Sequence, residues 1–264
     1  MRRPAAAGRY YPKGKEALLS ELKRCFDGLI IRQDRSIKGV VCPHAGYTHS
    51  GRTAAYSYAL IPEAQTYVIF CPNHTGMGSA VSLSTEQWVT PLGTVDVDME
   101  FVEGLSMQAI EIDERAHQYE HAIELQLPFL QYRFGGDAFK IVPICLGMQD
   151  ELTAAEVGAD LMEAMESAEG RVVVIASSDF THYEPVEVAT KKDNYVIDAL
   201  LRADVSEFYR RLTEKRVSVC GYGAIGSMLY CVQLESGELL NYSTSGDTTK
   251  DYAAVVGYAA IAMR

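Results

Sequence analysis

The run Val40-Val41-Cys42-Pro43-His44-Ala45-Gly46-Tyr47-Thr48-His49-Ser50-Gly51 decides how the rest of the chain is read. A β-branched pair ends in a proline turn, presents a histidine, passes a glycine and reaches Ser50-Gly51 ahead of a helix-like segment. Open α/β sheets hold their ligands where a strand ends and the next helix begins. The same device returns further on, where Tyr67 to Phe70 lead into Cys71-Pro72-Asn73-His74-Thr75-Gly76. Two strands that each end in a histidine-bearing turn predict two imidazoles aimed into one crevice.

Outward from these two turns the chain alternates strand and helix. Residues 1–12 read as an irregular arm. Ala17, Leu18, Leu22, Cys25 and Phe26 recur at helical spacing and predict a helix over 14–27, ended by Gly28. Strands are expected over 38–42, 67–71 and 81–84, with an extended excursion over 88–97 broken by Pro91 and Gly93. Helices are expected over 51–60, over 98–107 with Asp98 as N-cap, and over 120–134 with a bend at Pro128. Residues 139–146 and 171–176 are near-continuous apolar strands of the kind buried on both faces. Helices over 151–168, 185–203, 205–213 and 223–234 follow, and strands over 239–243 and 253–263 close the chain. The last two strands are joined by a loop alone, so part of the sheet is antiparallel. The pattern predicts one domain over 1–264, a three-layer α/β/α sandwich around a largely parallel or mixed sheet.

Composition narrows the function classes. At 264 residues, 48% hydrophobic and 22% charged, the chain can bury a core without disulfides. A formal net charge of -11 sets the overall field against nucleic acid and anionic membranes. Arg2-Arg3 and Lys191-Lys192 are too short to be nucleic-acid tracts. The cysteines Cys25, Cys42, Cys71, Cys145, Cys220 and Cys231 show no CxxC spacing. The N-terminus lacks the apolar region of a secretory signal, and no apolar run reaches the roughly 20 residues of a membrane span. A cytoplasmic protein with reduced thiols is the expectation.

The polar residues at the strand ends are His44, His74, the run Ser177-Ser178-Asp179-Phe180-Thr181-His182, and Cys220-Gly221. Imidazole is the commonest metal ligand and thiolate a soft anionic one. Two histidines and a cysteine with open positions resemble the two-histidine, one-carboxylate triad of non-haem iron enzymes, with sulfur in the carboxylate's place. Zinc also accepts such donors. His182 suits a general acid or base, with Asp179 to orient an imidazole or a water. His121 and Glu124, three apart on an expected helix, share a face that can line the pocket, without completing the HxxEH protease pattern. Against these stand plainer roles: a lone strand-end histidine is more often a hydrogen-bonded turn residue, and a lone cysteine a small buried one. His49 and His117 are read as non-functional. Tyr47, Tyr222 and Trp88 are candidate pocket walls or core.

Five motifs then occur in order: Cys42-Pro43-His44-Ala45-Gly46-Tyr47, Pro72-Asn73-His74, Glu120-His121-Ala122-Ile123-Glu124-Leu125-Gln126-Leu127-Pro128, Ser177-Ser178-Asp179-Phe180-Thr181-His182 and Cys220-Gly221. Together they resemble the Memo family over essentially the whole chain. That resemblance implies the fold of the LigB-type class III extradiol dioxygenases, which hold Fe(II) with two histidines and a glutamate. It implies His44, His74 and Cys220 as metal ligands, with cysteine where the dioxygenases have glutamate. It puts His182 at the catalytic histidine, with Asp179 and His121 beside the pocket. Iron or copper, copper-dependent redox activity, phosphotyrosine-peptide binding and a link to a radical SAM protein are further implications. Related sequences carry a further histidine where this chain has Gln126.

Three functions fit these residues. One is a metal-dependent redox enzyme using Fe(II) or Cu on a small molecule or peptide. Another is a non-catalytic binding module that kept an ancestral pocket, since fold does not carry activity with it. The third is a zinc hydrolase with His182 as base toward metal-bound water.

Overall fold

The computed structural model describes residues 1–264. In chain order, α1 (Lys15–Cys25), β1 (Gly39–Cys42), α2 (Tyr47–Leu60) and β2 (Thr66–Pro72) form the first half of a wound sheet. An excursion follows: β3 (Val81–Leu83), β4 (Trp88–Thr90), β5 (Gly93–Val95), α3 (Met99–Glu103), β6 (Glu111–Ile112) and a short 3-10 turn. The chain returns through α4 (Leu127–Phe134), β7 (Lys140–Leu146), α5 (Glu151–Ser167) and β8 (Val172–Ser177). It closes with β9 (His182–Glu184), α6 (Val186–Leu201), α7 (Val205–Lys215), α8 (Tyr222–Cys231), β10 (Gly237–Thr244), α9 (Gly246–Thr249) and β11 (Val255–Met263).

The large sheet has the order β10-β11-β1-β8-β2-β7-β3-β6, with β9 alongside β11, and β4–β5 form a separate hairpin. Its four central strands, β1, β8, β2 and β7, are all parallel. β11 runs antiparallel to them, and β10, antiparallel to β11, runs in the same direction as the central strands. The sheet is therefore mixed with a parallel centre, and the helices lie on both of its faces. Residues of β1 show both layers. A Cβ on Gly39 would sit 2.8 Å from Met228 Sδ in α8, whereas Cys42, an odd number of residues away and so on the opposite face, packs on Ser57 and Tyr58 of α2. Burial on both sides is why β1 and β2 read as unbroken apolar runs.

Register fixes the site. Cys42 pairs with Ser177, Phe70 with Ala176, and Pro72 with Leu146, so β1, β8, β2 and β7 end at one level. The residues that follow each strand lie along one rim, where open sheets bind ligands.

Three expected elements differ. The helix expected over 120–134 begins only at Leu127. Residues 120–126 are held as turns by distant partners: Tyr47 Oη donates to the Leu125 carbonyl, and the Gln126 amide donates to Pro43 O and Ser177 Oγ. Pro128 thus falls in the first helical turn, where its missing N–H costs nothing, and makes no bend. The helix over 98–107 stops at Glu103, and beyond it the Ser106 N–H and hydroxyl turn to the Asp160 carbonyl and carboxylate, which also takes the N–H groups of Gln108 and Ala109. The excursion over 88–97 is an antiparallel hairpin, Trp88 opposite Val95.

A second buried carboxylate ties the rim to the back layer. Asp193 of α6 accepts the Thr181 N–H at 3.0 Å, the Thr181 hydroxyl at 2.6 Å and the Tyr242 hydroxyl at 2.7 Å. Burial pushes its carboxyl pKa up, and these hydrogen bonds oppose the rise. Asp193→Ala strands all three donors, so a loss of about 2 kcal/mol is expected. It should appear as a lower urea midpoint with an unchanged slope.

Candidate metal centre

Glu120 organises the site from a position 1% exposed. Its carboxylate accepts the His74 backbone N–H at 2.6 Å and the N–H groups of His121 and Ala122 at 2.8 and 3.0 Å. It also takes His74 Nδ1 at 3.0 Å and lies 3.1 Å from His121 Nδ1. One acid therefore anchors two imidazoles through Nδ1. His74 is presented by a turn that Asn73 stabilises, its Oδ1 accepting the N–H groups of Thr75 and Gly76.

His44 is fixed from the other side. Its N–H donates to Asp179 Oδ1 at 2.9 Å, and its Nδ1 lies 2.9 Å from Ser177 Oγ. Ser177 gives its only proton to the Ala122 carbonyl and receives one from Gln126 Nε2. A hydroxyl so engaged has only a lone pair left, so His44 must carry its proton on Nδ1. In all three histidines Nδ1 faces an oxygen acceptor, so Nε2 is the nitrogen that turns away from the supporting oxygens; in His44 it meets the Cys220 sulfur. This is how metal-binding histidines are usually oriented.

The rings converge. Centroids are 5.2 Å apart for His44 and His74, 5.5 Å for His44 and His121, and 4.8 Å for His74 and His121. One ring nitrogen from each lies within 4.8 Å of the other two. Burial drives the His44 pKa well below the ordinary imidazole value, and the neighbouring His121 and His74 add to the fall. Burial also opposes charge on His74, but the Glu120 hydrogen bond and charge prevail and raise it.

Cys220 adjoins this cluster. Its sulfur is 3.2 Å from His44 Nε2 and accepts the Asp179 N–H at 3.2 Å. Burial pushes the thiol pKa up, with the Asp179 charge assisting. Gly221 lets Cys220 come this close, since any Cβ there would strike the Ser177 carbonyl oxygen and lie 2.8 Å from Ser178 Cβ. Imidazole with a nearby sulfur suits iron, copper or zinc and disfavours magnesium or calcium.

The family model described as Memo-like protein matches residues 2–262. The chain belongs to the Memo family. Its relatives include a MEMO1 family protein of Methanosarcina barkeri, 54% identical over 264 residues and 99% of each chain. Another, from Methanosarcina acetivorans, is 56% identical, covering 99% of this chain and 98% of the other. The fold is shared with an uncharacterized protein of Escherichia coli K12, at a TM-score of 0.55 and 12% identity, over 85% of this chain and 99% of that one.

In this Memo family chain the expected residues fall as follows. His44 and His74 face each other, and the third imidazole beside them is His121, which the motifs had put at the edge of the pocket. Cys220 is within hydrogen-bonding reach of His44 alone among the three. Asp179 holds the His44 turn, and burial raises its carboxyl pKa against that hydrogen bond. His182 donates Nδ1–H to the Ser218 carbonyl at 2.9 Å, leaving Nε2 as an acceptor. Gln126 lies behind the cluster, its Oε1 taking the Tyr58 hydroxyl. Glu124 is a correction: it does not line the pocket but is fully buried against the N-terminal arm. His49 bonds Thr248, and His117 is buried edge-on to Trp88. Sequence reasoning assigned no role to Glu120, Ser177, Arg2 or Tyr10. The signal for Glu120 was available: a glutamate directly before a histidine at the head of the motif.

Proposed function

We propose that this protein is a non-haem redox metal protein in which His44, His74 and His121 hold Fe(II) or copper, with Cys220 as the adjacent sulfur. The observation that carries the reading is the convergence of three imidazoles, one ring nitrogen of each within 4.8 Å of the other two. A bound cation supplies Lewis acidity and one-electron chemistry. The residues supply the rest. Glu120 and Ser177 anchor the Nδ1 atoms of the three rings, burial of His44 keeps that ring neutral, and His182 Nε2 accepts a proton at the rim. All six thiols are free, which suits a reducing, cytoplasmic setting. A small molecule or a peptide side chain is the substrate class, and the family resemblance supports a radical SAM protein as functional partner.

The test is elemental analysis of protein purified without added metal, followed by anaerobic Fe(II) and Cu(I) loading. Stoichiometric iron or copper is expected. Zinc alone would replace the redox reading with a hydrolytic one, and no metal under any condition would remove the site. His182→Ala is expected to bind metal like wild type and lose turnover; metal loss in that variant would make His182 a ligand.

A further inference from the structure

His44 and His74 sit on turns continuous with β1 and β2. His121 sits in an irregular loop, with no strand behind it. Its ring touches Glu120 through one nitrogen, a contact that leaves the ring plane free to turn. The N-terminal arm supplies what is missing. The Tyr10 ring stacks on the His121 ring with centroids 4.4 Å apart and planes 22° from parallel. On its other side the arm meets the His44 turn, where the Tyr10 carbonyl accepts the Tyr47 N–H at 2.9 Å. A Cβ on Gly46 would lie 3.4 Å from that carbonyl oxygen. Upstream, Arg2 clamps the His121 loop, donating to the His117 carbonyl at 3.1 Å and the Glu120 carbonyl at 2.6 Å and pairing with Glu124. The arm therefore bridges two of the segments that carry imidazoles.

We infer that the arm is part of the metal centre: Tyr10 positions His121, and this stack decides whether a cation meets three imidazoles or two. The inference rests on the metal reading given above. Tyr10 touches no reacting atom, so its role is positioning, and a flat ring is the property that matters. Phenylalanine should serve as well as tyrosine, and leucine, with apolar bulk but no face to stack, should not.

The experiment uses the full-length protein in metal-free form, with Co(II) as a spectroscopic probe under anaerobic conditions. Wild type, Tyr10→Phe, Tyr10→Leu and Tyr10→Ala are compared by Co(II) titration, by visible ligand-field spectrum, and by imidazole NMR of the metal-free protein. Tyr10→Phe should keep the wild-type affinity and spectrum. Tyr10→Leu and Tyr10→Ala should bind about 10–100-fold more weakly, the loss typical when a residue behind a ligand is removed. They should also show an altered spectrum and lose the upfield ring-current shift of the His121 protons. Far-UV circular dichroism keeps misfolding distinct from mispositioning. Equal affinity and spectrum in wild type and Tyr10→Leu would overturn the inference alone. Wild type that takes up no cobalt would overturn the metal reading first and this inference with it.

Discussion

Replacing His44 by alanine is expected to empty the cluster. His44 links the parts of the cluster: its ring lies 5.2 and 5.5 Å from those of His74 and His121, and its Nε2 is 3.2 Å from the Cys220 sulfur. Its loss removes one of three nitrogen donors and unhooks the sulfur from the remaining two. Changing a residue behind a ligand typically costs 10–100-fold in metal affinity, so losing a donor should cost more, ~1000-fold. The fold should survive, because β1 and its register with β8 do not depend on the imidazole. Anaerobic Fe(II) loading followed by desalting and iron assay gives the answer. Equal iron retention by wild type and His44→Ala would place any metal elsewhere.

Why two of the imidazoles were legible and the third was not has a physical cause. His44 and His74 follow apolar strands, and strand ends in a parallel sheet come to one level by register, so their convergence follows from pattern alone. The same logic gave the layered α/β architecture. His121 is placed beside the pocket by the motifs, but on an expected helix that begins only at Leu127. Helical propensity over 120–134 is real, but Glu120 accepts from the His74 N–H after β2, Leu125 from Tyr47, and Gln126 donates to Ser177 at the end of β8, and turns result. Partners of that kind lie tens of residues away and leave no local mark. The arm was opaque for the same reason. Residues 1–12 have no periodicity, and nothing in Arg2-Arg3 announces that Arg2 is buried while Arg3 is exposed. Cys220 was legible as a sulfur near the rim, but its distance from each imidazole depends on Gly221 and the start of α8.

Glu124→Ala should be the most destabilising single change among the contacts that hold the arm. The carboxylate has no exposed surface and accepts from four donors: the Arg2 guanidinium, the Ala5 and Ala6 N–H groups at 2.8 and 3.0 Å, and the Tyr11 hydroxyl at 2.5 Å. Arg2 is itself 4% exposed and lies 4.3 Å from the centroid of the Trp88 ring. Truncating Glu124 leaves that guanidinium buried and unpaired, a loss of about 3–5 kcal/mol in comparable cases. Glu124→Gln keeps the shape but halves the match, since its amide nitrogen is a donor facing donors; an intermediate loss is expected. Arg2→Met combined with Glu124→Ala should recover the part that comes from the stranded cation, while the Ala5, Ala6 and Tyr11 donors stay unsatisfied. Denaturant unfolding of the two single changes and the double change forms the cycle that isolates the coupling. A drop below about 1 kcal/mol for Glu124→Ala would mean that the pair contributes no more than a surface ion pair. In that event the arm would be free to leave the His121 loop, and the ordering of the third imidazole would have to come from Glu120 alone.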